Sequence, residues 1–215
     1  MKAILLSVQP QWVEKILNRE KTIEIRKTKP NIELPCKVYI YCTKPKKWYA
    51  FSNWGATSNE LVWKIKDKVK MCEGFEFWGD DCEKLNGKVV AEFTLKNIVN
   101  FDIESLIFMN KAQELMQKAC LGGLSLRKYL GDKIGYSWGV EDLKIYNKPK
   151  ELSEFSHYIP NNECPRKNNG TKCEDCSSYD FEHNDCMALY YSHRSVRRPP
   201  QSWCYVESLE EKSEK

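Results

Sequence analysis

The sequence predicts an α+β fold in which a small mixed or barrel-like sheet packs against a few helices. Segments with the composition of strands occur at uneven intervals. Helical patterns do not alternate regularly with these segments, which argues against a parallel α/β fold. The chain has 215 residues, enough for a hydrophobic core in one domain, or in one domain with an insertion.

The first part of the chain is predicted to be strand, helix, strand, strand. Residues 3–8 form an apolar run that ends at Gln9 and Pro10, after which apolar residues recur at helical spacing. Proline suits the first turn of a helix, where its missing N–H costs nothing. Residues 22–27 alternate between polar and apolar, and residues 37–42 are rich in β-branched and aromatic side chains, as expected of strands.

The rest of the chain is less regular. Residues 43–86 scatter tryptophans among lysines and turn residues, so loops and short elements are expected there. The later predicted elements are a strand at 87–95, a helix at 102–119 stopped by Gly122 and Gly123, a helix capped by Ser125 that runs through Leu130, and strands at 138–146 and 203–206.

Charge and composition limit the function classes only mildly. The 34 basic and 30 acidic residues leave a formal net charge of +4, which permits an anionic partner without requiring one. No stretch approaches the roughly 18 apolar residues of a membrane span, and the first apolar run is shorter than that of a signal peptide. We therefore expect a cytoplasmic protein whose ten cysteines are thiols or metal ligands.

The segment REKTIEIRKTKP, residues 19–30, combines strand alternation with a high density of charge. Its alternation places Thr22, Glu24 and Arg26 on one face, with the two intervening isoleucines in the core and Lys21 at the entrance. One interpretation is a solvated face with an ion pair worth at most about 1 kcal/mol. The other is a polar cleft in which Lys21 and Arg26 attract a phosphate or a base edge, and Glu24 accepts from an exocyclic amine.

Basic and aromatic residues lie together in two further stretches. Residues 44–49 and 63–70 place lysines beside aromatic rings, a composition typical of nucleic-acid surfaces and also of ordinary soluble proteins. The nucleic-acid-binding candidates there are Lys44, Lys46 and Lys47. A third cluster, with the same two interpretations, consists of Arg194, Arg197 and Arg198. Trp138 and Trp203 are expected to be core residues rather than stacking platforms.

Residues 161–198 are polar, rich in cysteine and poor in aliphatic side chains, so they are expected to form an insertion. The candidate metal ligands are Cys164, Cys173, Cys176 and Cys186. One Cys-x-x-Cys pair with two flanking cysteines predicts a structural zinc ion, because four thiolates leave no open position for water. Alternative fourth ligands are His183, His193 and Cys204. An iron–sulfur cluster or unligated thiols remain open alternatives.

The sequence resembles the ASCH domain family, relatives of the PUA RNA-binding fold. The motifs that carry the resemblance are Ser7-x-Gln9-Pro10, Lys21-Thr22-x-Glu24-x-Arg26, Tyr39-Ile40-Tyr41-Cys42, Gly87-Lys88-Val89-Val90-Ala91, Tyr136-Ser137-Trp138-x-Val140-x-Asp142-Leu143 and residues 199–206. The resemblance implies a small PUA-like mixed β-barrel with flanking helices over residues 1–160 and 199–207, interrupted by the cysteine-rich insertion at 161–198. It also implies recognition of RNA, a nucleotide or a nucleoside in a cleft lined by Lys21, Glu24 and Arg26.

The resemblance also supplies an enzyme hypothesis. One branch of the family hydrolyses the amide of an acetylated cytidine with a lysine, a threonine and a glutamate. This chain departs from that branch, because Glu24 stands where the threonine would be and Thr22 lies two residues away. Other members are proposed to cut RNA, and here Lys21 and Glu24 would be acid and base. A third hypothesis, of another class, is a protein-interaction adaptor that uses the cysteine-rich segment.

Overall fold

The computed structural model describes most of the chain. The described residues are 1–44, 49–51, 55–57, 61–65, 68–72, 82–108, 112–158, 179–180, 185–186 and 195–209. The helices are α1 (Pro10–Leu17), α2 (Ile103–Phe108), α3 (Ala112–Ala119) and α4 (Gly123–Leu130), with a 3₁₀ turn at Leu152–Glu154. The strands are β1 (Lys2–Val8), β2 (Ile23–Arg26), β3 (Cys36–Cys42), β4 (Tyr49–Phe51), β5 (Gly55–Thr57), β6 (Leu61–Ile65), β7 (Lys68–Cys72), β8 (Cys82–Lys84), β9 (Val89–Leu95), β10 (Ile98–Phe101), β11 (Gly135–Gly139), β12 (Glu141–Lys150), β13 (Tyr179–Asp180), β14 (Asp185–Cys186) and β15 (Trp203–Glu207).

The main sheet has the strand order β12-β9-β3-β1-β15, and its strand β1 is buried on both faces. β1 runs parallel to β3 and antiparallel to β15. Ile4 and Leu6 face a core cluster that includes α1, whereas Ala3 and Leu5 face a second cluster with Phe155. Burial on both faces explains why residues 3–8 form a continuous apolar run rather than an alternating one.

The second sheet has the order β10-β11-β2 and supports a third core cluster. Ile25 of β2 is buried there with Leu126 and Leu130 of α4. The chain passes between the two sheets over the short links from β9 to β10 and from β11 to β12. The described strands therefore form a mixed arrangement of open sheets with a few helices, and they do not close into one barrel.

Most of the predicted elements are present, with three corrections. The helix expected at 102–119 is described as two helices, α2 and α3. The strand expected at 138–146 is two strands joined at Val140, whose N–H donates to Thr22 O at 2.9 Å. Ser125 is not a helix cap: it lies inside α4, and the N-cap is Gly122, which makes no side-chain capping bond.

Residues 43–86 contain the short strands β4 to β8 in two small sheets, in agreement with the short elements expected there. The Asn86 side chain links this region to β3, because its Oδ1 accepts from Val62 N at 2.8 Å and its Nδ2 donates to Thr43 O at 3.2 Å. Asn18, which ends α1, donates to Val69 O at 3.0 Å. These bonds hold the region against α1.

The segment predicted as an insertion, 161–198, is described only in part. β13 pairs with β14, so Tyr179 lies opposite Cys186. At its C-terminal side Val196 is fully buried in the cluster that contains Phe155, and its N–H donates to Phe155 O at 2.8 Å. In the described ranges, no helix combines the length and apolar composition that crossing a bilayer requires.

Candidate functional site

A cleft with a volume of about 760 Å³ opens beside β2. Its walls come from the start of α1, from β2 and the residues after it, from the face of α4, and from the segment that leads into β15. The lining residues are Ser7, Gln9, Gln11, Trp12, Lys21, Glu24, Ile25, Arg26, Lys27, Thr28, Thr43, Lys44, Leu121, Ser125, Tyr129, Gln201 and Ser202. Its volume falls within the usual range for small-molecule and cofactor sites.

The floor of the cleft is a buried cluster of three charges. Glu24 Oε1 lies 2.8 Å from Arg26 Nη2, and Glu24 Oε2 lies 3.4 Å from Lys21 Nζ. The three side chains are only 2% to 10% exposed. One carboxylate therefore joins two cations in a site with little water, where removal of a partner leaves an uncompensated charge.

Arg26 fixes this cluster to both ends of the described chain. Its Nη2 donates to Ser7 O at 2.7 Å and its Nη1 donates to Ser202 Oγ at 3.2 Å. The Ser7 hydroxyl in turn donates to Pro200 O at 2.7 Å. β1 and the segment before β15 are thus held together at the cleft by one guanidinium and one serine.

Lys21 lies deepest in the cluster. Its Nζ donates to Ala119 O, at the end of α3, at 2.7 Å, and lies 5.4 Å from the centre of the Trp12 ring. Burial lowers the pKa of Lys21, and the nearby Glu24 carboxylate opposes that effect only in part. The carbonyl, the carboxylate and the ring all favour the protonated amine, whereas loss of water disfavours it.

The rim of the cleft carries exposed cations that contrast with the buried ones. Lys27 follows β2 and Lys44 follows β3, and both are exposed. Gly87, with φ +84°, leaves room for the Lys44 chain, because an added Cβ would approach Lys44 Cε to 3.1 Å. The lining residues together include four cations and one carboxylate, a formal charge of +3. The rest of the chain, with 30 basic and 29 acidic residues, is close to neutral in formal charge.

A comparison with solved structures identifies the fold. A crystal structure of a point variant of an ASCH protein from Zymomonas mobilis matches with a TM-score of 0.50, at 15% identity over 97% of this chain and 92% of that chain. The chain has an ASCH-like fold. Structures of ASCH from Zymomonas mobilis and of a second point variant have TM-scores of 0.49, at 15% and 14% identity, over 96% of this chain and 88% and 89% of those chains. No family model and no curated protein sequence matches the chain.

The ASCH-like fold brings together four of the residues singled out from the sequence, Lys21, Glu24, Arg26 and Lys44. Thr22 does not join them. β2 begins only at Ile23, and Thr22 is exposed and absent from the lining. Its N–H donates to Lys118 O at 2.9 Å, so its backbone helps to join β2 to α3.

The other predicted residues are only partly described. Lys46, Lys47, Arg194, Cys164, Cys173 and Cys176 lie outside the described residues, and Cys186 is described through its backbone. Arg197 and Arg198 are exposed and do not line the cleft. Within the described part of the chain, no three His, Cys, Asp or Glu side chains are placed to hold a metal ion.

The structure also shows the burial of the two predicted core tryptophans and of three cysteines. Trp138 is fully buried, as expected, and Trp203 is half-buried against the same core. Cys36 and Cys42 are buried thiols, but Cys120 is half-exposed and its Sγ donates to Glu20 O at 3.4 Å. Cys120 is thus a partly exposed thiol, unlike Cys36 and Cys42.

Sequence reasoning missed the wall formed by α4. Leu126 and Leu130 face the core, and Ser125 and Tyr129, four residues apart, lie on the cleft side. The i, i+4 spacing of the two leucines was the available signal, because it implies that a second face of the helix is free.

Proposed function

We propose that the cleft binds RNA or a nucleotide. The observation that carries the proposal is the formal charge of +3 on a concave surface with a single carboxylate, Glu24, among its lining residues. Such a surface attracts an anionic ligand and raises its local concentration. The ASCH-like fold and the aromatic side chains of Trp12 and Tyr129 favour a nucleotide over a simple anion, because a ring can stack on a base.

In this proposal the floor and the rim of the cleft have different parts. Lys21, Glu24 and Arg26 already pair with one another, so their main contribution is a fixed polar surface with a net positive charge. The exposed Lys27 and Lys44 are free to move toward phosphate oxygens. Phosphate contacts then supply affinity, and the floor and the neighbouring glutamines supply hydrogen bonds to the base.

The test is a titration of single-stranded RNA, followed by fluorescence anisotropy between about 50 and 200 mM salt. Lys44→Gln is expected to weaken binding and to reduce the slope of log K against log salt by about 0.7, the contribution of one single-strand phosphate contact. Lys133→Gln, an exposed lysine that does not line the cleft, is the matched control. A wild-type protein that binds no RNA and no nucleotide at low salt contradicts the proposal.

The second candidate is a hydrolase acting on RNA or a modified nucleoside through the same cleft. It is favoured by Lys21, because burial lowers its pKa, so that more of its amine is neutral and able to accept a proton than in an exposed lysine. The measurement is release of acetate from an acetylated cytidine, or of fragments from labelled RNA, by the wild type and by Lys21→Ala. Turnover by the wild type that the variant lacks, with circular dichroism unchanged, supports the enzyme. Ligand binding without turnover supports recognition alone.

We also propose that Cys164, Cys173, Cys176 and Cys186 hold one structural zinc ion. β13 and β14 pair Cys186 with Tyr179, a position only three residues after Cys176 along the chain. A polar segment of this length usually needs a metal to fold, and a cytoplasmic location would keep its thiols reduced. Elemental analysis is expected to give close to one zinc per chain in the wild type and in Cys120→Ser, and none after Cys173→Ser with Cys176→Ser. A folded, metal-free wild type contradicts the proposal.

A further inference from the structure

We propose that Tyr129 and Lys27 form a subsite for one unpaired nucleotide, with its base stacked on the Tyr129 ring and its phosphate at Lys27. This inference rests on the proposed function and makes it more specific. It assigns a place in the cleft, two residues and a ligand class: a nucleobase with an attached phosphate, supplied by a single strand or by a free nucleotide.

The Tyr129 ring is the first argument. Leu126 and Leu130 fasten α4 to the core, and this leaves Tyr129 on the cleft side with 39% of its surface exposed. Part of the ring is covered by the protein, which holds it in place, and part remains open to the cleft. The ring is held by a helix rather than a loop, so stacking on it costs little ordering of the protein.

The electrostatic surroundings of Tyr129 suit an anionic ligand. Burial raises the pKa of its hydroxyl, an effect that the Arg26 guanidinium opposes and the Glu24 carboxylate increases. The hydroxyl is therefore protonated at neutral pH, and it can donate a hydrogen bond without adding negative charge. Ser125, one turn earlier on the same face, offers a second hydroxyl to the edge of a base.

Lys27 supplies the charge. Its Nζ lies 5.0 Å from the centre of the Tyr129 ring, so the cation and the ring are adjacent. Lys21 and Arg26 are bound to Glu24, but Lys27 is exposed and forms no ion pair with the residues that the structure describes. A phosphate that meets Lys27 therefore replaces water rather than an existing carboxylate partner, and the cation–π contact is weak enough to yield.

The ligand must be unpaired because the ring lines a cleft rather than an open surface. A duplex keeps its bases stacked within the helix and offers phosphates and groove edges instead. Unpaired bases can turn outward, stack on an aromatic side chain and enter a concave site. The cleft volume of about 760 Å³ is sufficient for a nucleotide and far too small for a helix.

The experiment compares four variants of the full chain, with a labelled single-stranded RNA of about ten nucleotides, the same strand in a duplex, and each nucleoside monophosphate as competitor. Tyr129→Ala is expected to weaken single-strand binding roughly tenfold, the loss of one base–ring stack. Tyr129→Phe keeps the ring and is expected to stay within about twofold of the wild type. Lys27→Gln is expected to reduce the salt slope by about 0.7, whereas Lys128→Gln, on α4 outside the cleft lining, is expected to change nothing.

The outcomes separate this inference from the proposed function. If a nucleoside monophosphate competes with the labelled RNA, the ligand is a free nucleotide. If none competes, the ligand is a single strand. If the wild type binds RNA but Tyr129→Ala and Lys27→Gln bind equally well, the subsite is wrong and the proposed function stands. Duplex binding as tight as single-strand binding also overturns the subsite. A wild type that binds neither RNA nor nucleotide overturns both.

Discussion

Two clusters of three charged side chains, one buried and one exposed, show how differently similar ion pairs behave in this protein. In the first, Lys21 and Arg26 share Glu24 at 3.4 and 2.8 Å; in the second, Lys96 lies 3.1 Å from both Glu141 and Asp142. The distances are similar. The side chains of the first cluster are 2% to 10% exposed and those of the second are 39% to 62% exposed.

Burial and composition, and not distance, distinguish the two clusters, since the buried one has two cations for one carboxylate and the exposed one has one cation for two carboxylates. Hydrogen bonds from Lys96 to Glu141 and Asp142 raise its pKa, because the two carboxylates stabilise the ammonium and the exposed side chain loses little hydration. Burial lowers the pKa of Lys21 although a carboxylate is equally near. The exposed cluster is thus an ordinary surface ion network with little effect on stability. The buried cluster lies between the core and the cleft, so removal of one of its charges should lower the stability of the whole fold.

The largest expected effect is on stability, from Glu24→Gln. This change leaves Lys21 and Arg26 buried without a counter-charge and should lower the free energy of unfolding by about 3–5 kcal/mol, as measured by urea denaturation. Glu141→Gln, which removes a carboxylate from the exposed cluster, is the control and should leave the midpoint unchanged. Equal midpoints for the two variants would show that burial does not distinguish the clusters.

Replacing the whole buried cluster should be less harmful than breaking it. With Lys21→Met, Glu24→Met and Arg26→Met together, no buried charge remains, and the variant should exceed Glu24→Gln by at least about 2 kcal/mol in unfolding free energy. It should also lose ligand binding, since the polar floor is gone. A triple variant less stable than Glu24→Gln would mean that hydrogen bonds such as Arg26 to Ser7 O outweigh the charges.

The two lysines should titrate on opposite sides of their ordinary value of 10.5. Between the folded pKa of Lys21 and 10.5, the unfolded chain binds more protons, so this group makes the free energy of unfolding rise with pH. Lys96 has the opposite sign: its contribution is complete below 10.5 and is lost as pH rises through its higher folded pKa. NMR titration of the side-chain amines, assigned with Lys21→Met and Lys96→Met, measures both. Coincident titrations would contradict the comparison.

The smallest expected effect is that of Lys96→Met. Removal of this exposed cation should leave the melting temperature, RNA affinity and salt slope unchanged within error. A loss of RNA affinity would show that the binding surface extends beyond the cleft, toward β12. The Lys96→Met values of melting temperature, affinity and salt slope therefore serve as the baseline with which the Glu24→Gln values are compared.

The sequence predicted the fold well where one local rule decides the structure. Pro10 marks the start of α1, and the apolar run before it is β1. Ile25 is buried and Ile23 is half-buried against the same cluster, so the strand alternation was informative. The rule failed at Thr22, because the strand starts one residue later: the Thr22 N–H donates to Lys118 O of α3, while its carbonyl accepts from Val140 N beside β11.

The site was harder to predict because its parts are distant along the chain. The sequence showed that Lys21, Glu24 and Arg26 lie together, but not that they are buried and paired with one another. That burial depends on Ala119 O, Ser7 O and Ser202 Oγ, which no local pattern connects to β2. Tyr129 was missed for the same reason: an exposed aromatic side chain on a helix becomes informative only once the cleft beside it is known.

The bonds that join Ser7 to Pro200 and Ser202 have a consequence for translation. Among the described strands, β1 is the first to be synthesised and its partner β15 is the last. At typical elongation rates the interval is on the order of ten seconds, during which one side of an apolar strand stays unpaired. Until β15 pairs with it, that edge of β1 keeps unpaired N–H and C=O groups, and the cleft lacks its lining residues 201 and 202.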